Sequence, residues 1–181
     1  MITQERLKHL LSYDPETGIF RNLRTCGKAY KDQIAGGPGG NGYDGARYWR
    51  IQIDGKRYFA HHLAWLYVFG EMPRQNIDHK DRNPRNNAIL NLRLCNQSQN
   101  NVNSKQRVSK TGFRGVSRVK NSYQAGITVN EKFVYLGLFK TPEEAHLAYV
   151  EAATRYFGEF ADMHLDALGK SDEKTGRPLL A

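Results

Sequence analysis

Residues 76–103 read NIDHKDRNPRNNAILNLRLCNQSQNNVN, with Asp78 and His79 behind Ile77 and asparagines at 83, 86, 87, 91, 96, 100, 101 and 103. Amides at this density do not suit a packed strand or helix, because Asn competes with the backbone for hydrogen bonds and favours turns and caps. A long surface loop of Asx turns would satisfy the composition. So would a site for chemistry: a carboxylate, an imidazole and several amide oxygens can together hold one divalent cation and one activated water, the equipment of phosphodiester hydrolysis. Asp and Asn are hard oxygen donors suited to Mg²⁺ (or Mn²⁺), and Mg²⁺ keeps several waters while taking only one or two protein ligands. An imidazole such as His79 titrates near neutrality and can take a proton from an attacking water.

The residues before this stretch read as its support. Residues 61–69, HHLAWLYVF, are apolar enough for a buried helix that carries His61 or His62 inward at its start, and Gly70 and Pro73 close it. Trp49, Ile51 and Ile53 alternate with Arg50 and Gln52, and Asp54-Gly55 is a two-residue hairpin turn, so a hairpin is predicted over 47–60. Residues 35–45, AGGPGGNGYDG, hold six glycines and a proline and read as a loop. Leu7, Leu10 and Leu11 have helical spacing, the run from Tyr13 through Pro15 to Gly18 ends that helix, and residues 18–23 read as a strand.

On the other side, residues 105–110 form a basic connector without hydrophobic period, placed to track a polyanion. Tyr123, Ala125, Ile127 and Val129 then alternate with Gln124, Gly126 and Thr128, the period of a strand with one buried face. A second strand follows over 132–139 after a tight turn at Asn130-Glu131. Thr141-Pro142-Glu143-Glu144 supplies an N-cap hydroxyl, a first-turn proline and a reciprocal capping-box glutamate. The stripe Ala145, Ala148, Tyr149, Ala152, Tyr156 would lay that helix on a sheet, and Gly158 ends it. Residues 165–181 read as a polar tail.

Lys plus Arg total 27 against 18 acidic residues, a net charge of +9, which points to a polyanionic partner. No run of apolar residues is long enough to span a membrane, and the first residues do not read as a signal peptide, so a soluble cytoplasmic protein is expected. Cys26 and Cys95, far apart and without a CxxC neighbour, are expected as free thiols, with Cys95 packed.

The runs AHHLAWLYVFGEMP (60–73) and IDHKDRNPRNNAILNLRLCNQSQNNVN (77–103) resemble the HNH homing endonucleases of phages and group I introns, in which an aHRLaW helix precedes IDHxxG…NNxxNLR…xxN. The resemblance spans about residues 55–104. It implies a ββα-metal finger in which Asp78 and His79 end one strand, residues 91–95 form the second, and Asn96 caps a helix carrying Asn100. It further implies that Asp78 and Asn100 bind the metal, that His79 is the general base, and that Asn91 orients its imidazole. His61 matches the family's helix histidine, whereas His62 stands where the family has Arg, which removes a phosphate contact. Where the family has a glycine-containing turn this chain has Lys80-Asp81-Arg82-Asn83, and Asn83 is expected to take the left-handed position.

Residues 111–164 resemble the plant ethylene-response-factor (Apetala-type) DNA-binding domain, through RGV at 114–116, YLGLF at 135–139 and TPEEAHLAYVEAA from Thr141. In that family a three-stranded sheet lies in the DNA major groove with a helix on its other face. The positions matching its Arg- and Trp-rich DNA face include Ser117, Gly126, Thr128 and Tyr135 here, which weakens base reading. The expected fold class is α+β: an N-terminal β-rich region leading into the HNH finger (1–104), and a C-terminal three-stranded antiparallel sheet packed on one helix (111–164). Expected DNA contacts are Arg93, Lys105, Arg107, Arg114, Arg118, Lys120, Gln124, Thr128, Lys132 and Tyr135, with the basic groups neutralising phosphates. The function implied is that of a monomeric, Mg²⁺-dependent endonuclease that nicks double-stranded DNA, acting in the bacterial host of a phage or mobile element. The rivals are a DNA-binding regulator with an inactive HNH scaffold and a basic packaging protein, the latter accounting for the charge but for neither motif.

Overall fold

The computed structural model describes residues 2–39, 48–103 and 110–161. Lys105, Arg107, the far end of the glycine-rich stretch and the tail lie outside the described residues. The chain forms two compact units, Met1–Cys95 and Asn96–Ala181. The division falls ahead of the helix that the sequence reading placed with the finger, because that helix makes its contacts within the second unit.

In the first unit, helix α1 (Gln4–Leu10) starts at Thr3, whose hydroxyl accepts from the Arg6 amide. It ends earlier than its leucines predict. Leu11–Tyr13 is strand β1, antiparallel to β2 (Phe20–Asn22), and the period changes within Leu10-Leu11 because Leu11 and Tyr13 are buried on one side of an extended chain. The Asp14 carboxylate closes this hairpin by accepting from the Glu16 amide and the Thr17 hydroxyl. Strands β3 (Gly37–Pro38), β4 (Trp49–Ile53) and β5 (Lys56–Phe59) form a second sheet in that order. The Asp54-Gly55 turn has positive φ at both residues (48° and 76°), the geometry that matches strand twist. Strand β3 lies inside the stretch expected to be loop; its proline is tolerated because the strand is at the sheet edge.

Helix α2 (Ala60–Phe69) follows β5 directly and ends on Gly70 in the left-handed conformation. It is apolar on all sides and buries Ala60, Leu63, Ala64 and Leu66. Strands β6 (Asn76–His79) and β7 (Leu92–Cys95) pair antiparallel, joined by the asparagine-rich loop and a 3-10 turn at Ile89–Asn91. Ile77 and Leu92 carry this ribbon into one core with Leu7, Leu11, Phe20, Ile51 and Leu63.

The second unit holds α3 (Gln97–Asn103), β8 (Val116–Val119), β9 (Ser122–Val129), β10 (Lys132–Phe139) and α4 (Pro142–Phe157). The three strands form an antiparallel sheet in the order β10-β9-β8. The capping box at Thr141 and Glu144 is formed in both directions. Ala125 and Val116 of the sheet meet Ala145 of α4, while Thr128 is exposed on the opposite side, as the alternation predicts. Gly115, at φ 72°, permits this packing, since a Cβ there would stand 2.0 Å from the Tyr149 ring. Tyr156 departs from its predicted stripe and is exposed. Phe157 is buried instead, where the chain turns through a 3-10 segment that buries Phe160. Among the described residues no helix is long and apolar enough to cross a membrane.

Both cysteines are free, Cys26 exposed and Cys95 buried. Burial, helped by the Asp78 charge and opposed by Arg93, pushes the Cys95 thiol up to about 11. At pH 8 a thiol reagent should therefore titrate one cysteine in the native protein and two in denaturant. Two fast thiols in the native state would contradict this packing.

Candidate active site

Asp78 and His79 are the last two residues of β6, and neighbouring strand residues point to opposite faces. Each is only 6% exposed. Asp78 pairs across the ribbon with Arg93, whose Nε donates to Oδ2 at 2.9 Å. Both side chains are close to fully buried. Cross-strand register aims Arg93, an expected DNA contact, at a buried carboxylate that needs a counter-charge.

On the other face, Nε2 of His79 lies 3.3 Å from Oδ1 of Asn87. The amide orientation is fixed independently, because Nδ2 of Asn87 donates to the Arg85 carbonyl at 3.1 Å. Nε2 is then the protonated nitrogen of the neutral ring, and Nδ1 carries the lone pair. Burial lowers the His79 pKa below its ordinary value, against the opposing effects of Asn87, Asp81 and Asp78, so the neutral form prevails at pH 7.

Asn87 is itself clamped. The Tyr13 hydroxyl donates to its carbonyl at 2.7 Å, and the Ile89 amide donates to Pro15. Gly18, at φ 73°, presses on the same segment so closely that a Cβ would fall 2.2 Å from the Asn87 carbonyl carbon. The β1–β2 turn therefore sets the position of the amide that orients the histidine.

Asn91 does something other than expected. Its Nδ2 donates to Asp81 Oδ1 and to the Asn86 carbonyl, and its Oδ1 accepts from the Asp81 amide. With these three bonds it braces the loop, while the role assigned to it at His79 falls to Asn87. Asp81 is the hub: burial works to raise its carboxyl, but bonds from the Asn83 amide and from the Asn86 and Asn91 side chains outweigh that and lower it. The left-handed position falls on Arg82 (φ 59°), one residue before Asn83. Asn83 precedes Pro84, which disfavours helical angles, and its side chain is occupied in an Asx turn with the Arg85 amide.

Residues 58–102 match the HNH endonuclease family model. The match covers about a quarter of the 181-residue chain and supports a nuclease of the HNH family, whose substrate is a nucleic acid. No curated protein matches the chain.

The HNH stretch begins in β5 and takes in the first turn of α2, where His61 is 6% exposed. Its ring stacks on Phe59 (5.3 Å between centroids, 17° between planes) and stands edge-on to His79 at 5.2 Å. His62 stands at 4.5 Å, also edge-on. Burial above all, then the neighbouring His62 and His79, pushes His61 down to about 2, so it is neutral at any working pH. HNH nucleases typically use divalent metals; among the described residues no three His, Cys, Asp or Glu side chains form a cation cage.

At the end of the HNH stretch, Asn96 caps α3 reciprocally with Gln99, each amide donating to the other's side-chain oxygen at 2.8–2.9 Å. Asn100 sits on that helix, in the second unit. Arg114, an expected DNA contact, donates to the Asn101 carbonyl and bonds to Tyr149. Tyr135 is 55% exposed opposite Gly126, and Phe133, also exposed and not singled out by the sequence, lies opposite Thr128. Arg118, Lys120 and Lys132 are exposed.

Arg93→Met would remove the charged partner of the buried Asp78 carboxylate, at a cost of about 3–5 kcal/mol. Urea denaturation should show that loss, and Arg93→Met combined with Asp78→Asn should recover most of it. An unchanged midpoint in the single variant would remove the ion pair from the account.

Proposed function

We propose that the chain is a divalent-cation-dependent endonuclease that hydrolyses a phosphodiester of duplex DNA and nicks one strand. The observation that carries this is the buried neutral His79 with its tautomer set by Asn87, beside Asp78. An imidazole fixed in this way is a ready base: its Nδ1 takes the proton of a water whose oxygen forms a bond to phosphorus. The bond from phosphorus to the 3′ oxygen breaks and that oxygen takes a proton from solvent, leaving 5′-phosphate and 3′-hydroxyl ends. Asp78, a carboxylate, and Asn100, an amide, are each oxygen donors of a kind that suits Mg²⁺ or Mn²⁺, and a divalent cation would supply charge neutralisation at the phosphate. Asn87 holds His79 for the base step, and Asn91 keeps the loop between the strands closed.

The sheet of the second unit is proposed as the duplex grip, consistent with its resemblance to the Apetala-type domain. Gln124, Thr128 and Tyr135 share the face turned away from α4, while Arg118, Lys120 and Lys132 neutralise phosphates around it. The competing reading, a DNA-binding regulator, draws on one feature: Arg93 already engages the Asp78 carboxylate.

Supercoiled plasmid separates the two. Wild type should nick it with Mg²⁺ or Mn²⁺ and not in EDTA, His79→Ala should abolish nicking, and Asn87→Ala should slow it on the order of 10–100-fold. DNA binding without nicking under any metal would favour the regulator. Replacing Arg118, Lys120 and Lys132 together by Ala should flatten the dependence of log affinity on log salt by roughly 0.9 for each lost phosphate contact. An unaltered slope would take the grip away from this sheet.

A further inference from the structure

The sheet of the second unit carries an apolar surface that phosphate contacts do not use. Register places Gly126 and Thr128 of β9 and Phe133, Tyr135 and Leu138 of β10 on the side turned away from α4. None of these is charged, and the three large side chains on β10 are 55–62% exposed. The Phe133 ring lies across Gly126 so closely that a Cβ there would stand 2.2 Å from its Cζ. A glycine inside a strand forgoes side-chain packing, and here it lets an aromatic ring rest on the backbone with its outer surface open. Charge is uneven about this face. Among the described residues of the unit, four of the five acidic groups, Glu143, Glu144, Glu151 and Glu159, lie on α4 or the turn after it. The sheet side has Lys120 at one end and Lys132 at the other, with Glu131 beside the latter. A polyanion is therefore matched to the sheet and opposed by the helix.

We infer that this face reads the 5-methyl groups of thymine in the major groove, with Phe133 as the side chain that covers them. The inference rests on the reading of the sheet as the duplex grip. Lysine contacts to phosphate set position and carry no sequence information, so base reading falls to the uncharged centre of the face. The polar edges of the bases gain nothing from a phenyl ring, whereas the thymine methyl does, because ring and methyl leave water together. A ring already seated on Gly126 loses little freedom when it binds. The same seating fixes which part of the face meets the methyl: the stretch of β9 and β10 where Phe133 stands opposite Thr128, whose own methyl group adds to the apolar contact.

The test uses the full-length protein in EDTA and one DNA fragment amplified with either dTTP or dUTP, so that the two duplexes differ only in the 5-methyl group. Wild type should bind the thymine fragment more tightly, by about fourfold for each methyl covered. Phe133→Ala should bind the two alike. Gly126→Ala keeps the ring in the chain but displaces it, so the preference should shrink there too, with the fold intact by circular dichroism. Neither variant alters charge, so the dependence of log affinity on log salt should keep its wild-type slope. Equal wild-type affinity for the two fragments would overturn the inference, as would a folded Phe133→Ala that retains the full preference. Self-association that Phe133→Ala abolishes, with no preference between the fragments, would assign the face to a second copy and overturn it as well. An unaltered salt slope in the Arg118, Lys120 and Lys132 variant removes the grip and the inference with it, whereas a lowered slope without thymine preference removes the methyl reading alone.

Discussion

The position of the proposed base turns on a contact of backbone with backbone, where the Gly18 turn lies against the peptide joining Asn87 to Ala88. A side-chain amide can orient a histidine only if it is itself immobile, and an asparagine on a polar loop has no intrinsic reason to be so. Here the loop is pinned from a hairpin far away in sequence, by the Tyr13 hydroxyl on the Asn87 carbonyl and by the Ile89 amide on Pro15. Its other end is tied by the Asp81 carboxylate, which gathers the Asn83, Asn86 and Asn91 groups. Between these anchors the Asn87 amide has one position, and the His79 ring takes its tautomer from it.

Strand geometry separates two side chains that sequence places next to each other. Asp78 and His79 leave the backbone on opposite faces; the carboxylate meets Arg93 across the ribbon and the imidazole meets Asn87. With Asp78 turned to Arg93, burial dominates at His79 and the neutral ring prevails.

The elements were largely legible in the sequence, and the partnerships were not. Period-two alternation gave the β4–β5 hairpin and the inner face of β9, and Thr141 through Glu144 gave the start of α4, because these are local signals. Strand β1 was hidden because Leu10 and Leu11 belong to different elements, so their spacing imitates a helix. The resemblance placed Asp78 and His79 at a strand end but assigned the histidine to Asn91. Asn86, Asn87 and Asn91 are chemically alike, and only the fold around Tyr13 and Gly18 decides which amide reaches the ring. Arg93 and Arg114 carry positive charge that in sequence reads as surface, and only the fold shows their partners, Asp78 for the first and Tyr149 for the second. Asp81 was passed over because a carboxylate on a polar loop has no sequence mark that sets it apart as a hub.

The same dependence explains why the HNH stretch is embedded in a larger unit. Strands β6 and β7 have four residues each, and a two-stranded ribbon of that length is at best marginally stable in water. This one must in addition bury Asp78, His79 and Asn87, groups whose desolvation opposes folding unless each finds a partner. The apolar area that offsets this comes from outside the ribbon, where Ile77 and Leu92 join a core built from α1, β1, β2, β4 and α2. The N-terminal region is accordingly part of the same folding unit as strands β6 and β7. It supplies both the core that holds the strands and, through Tyr13, Pro15 and Gly18, the surface against which the loop carrying Asn87 is shaped.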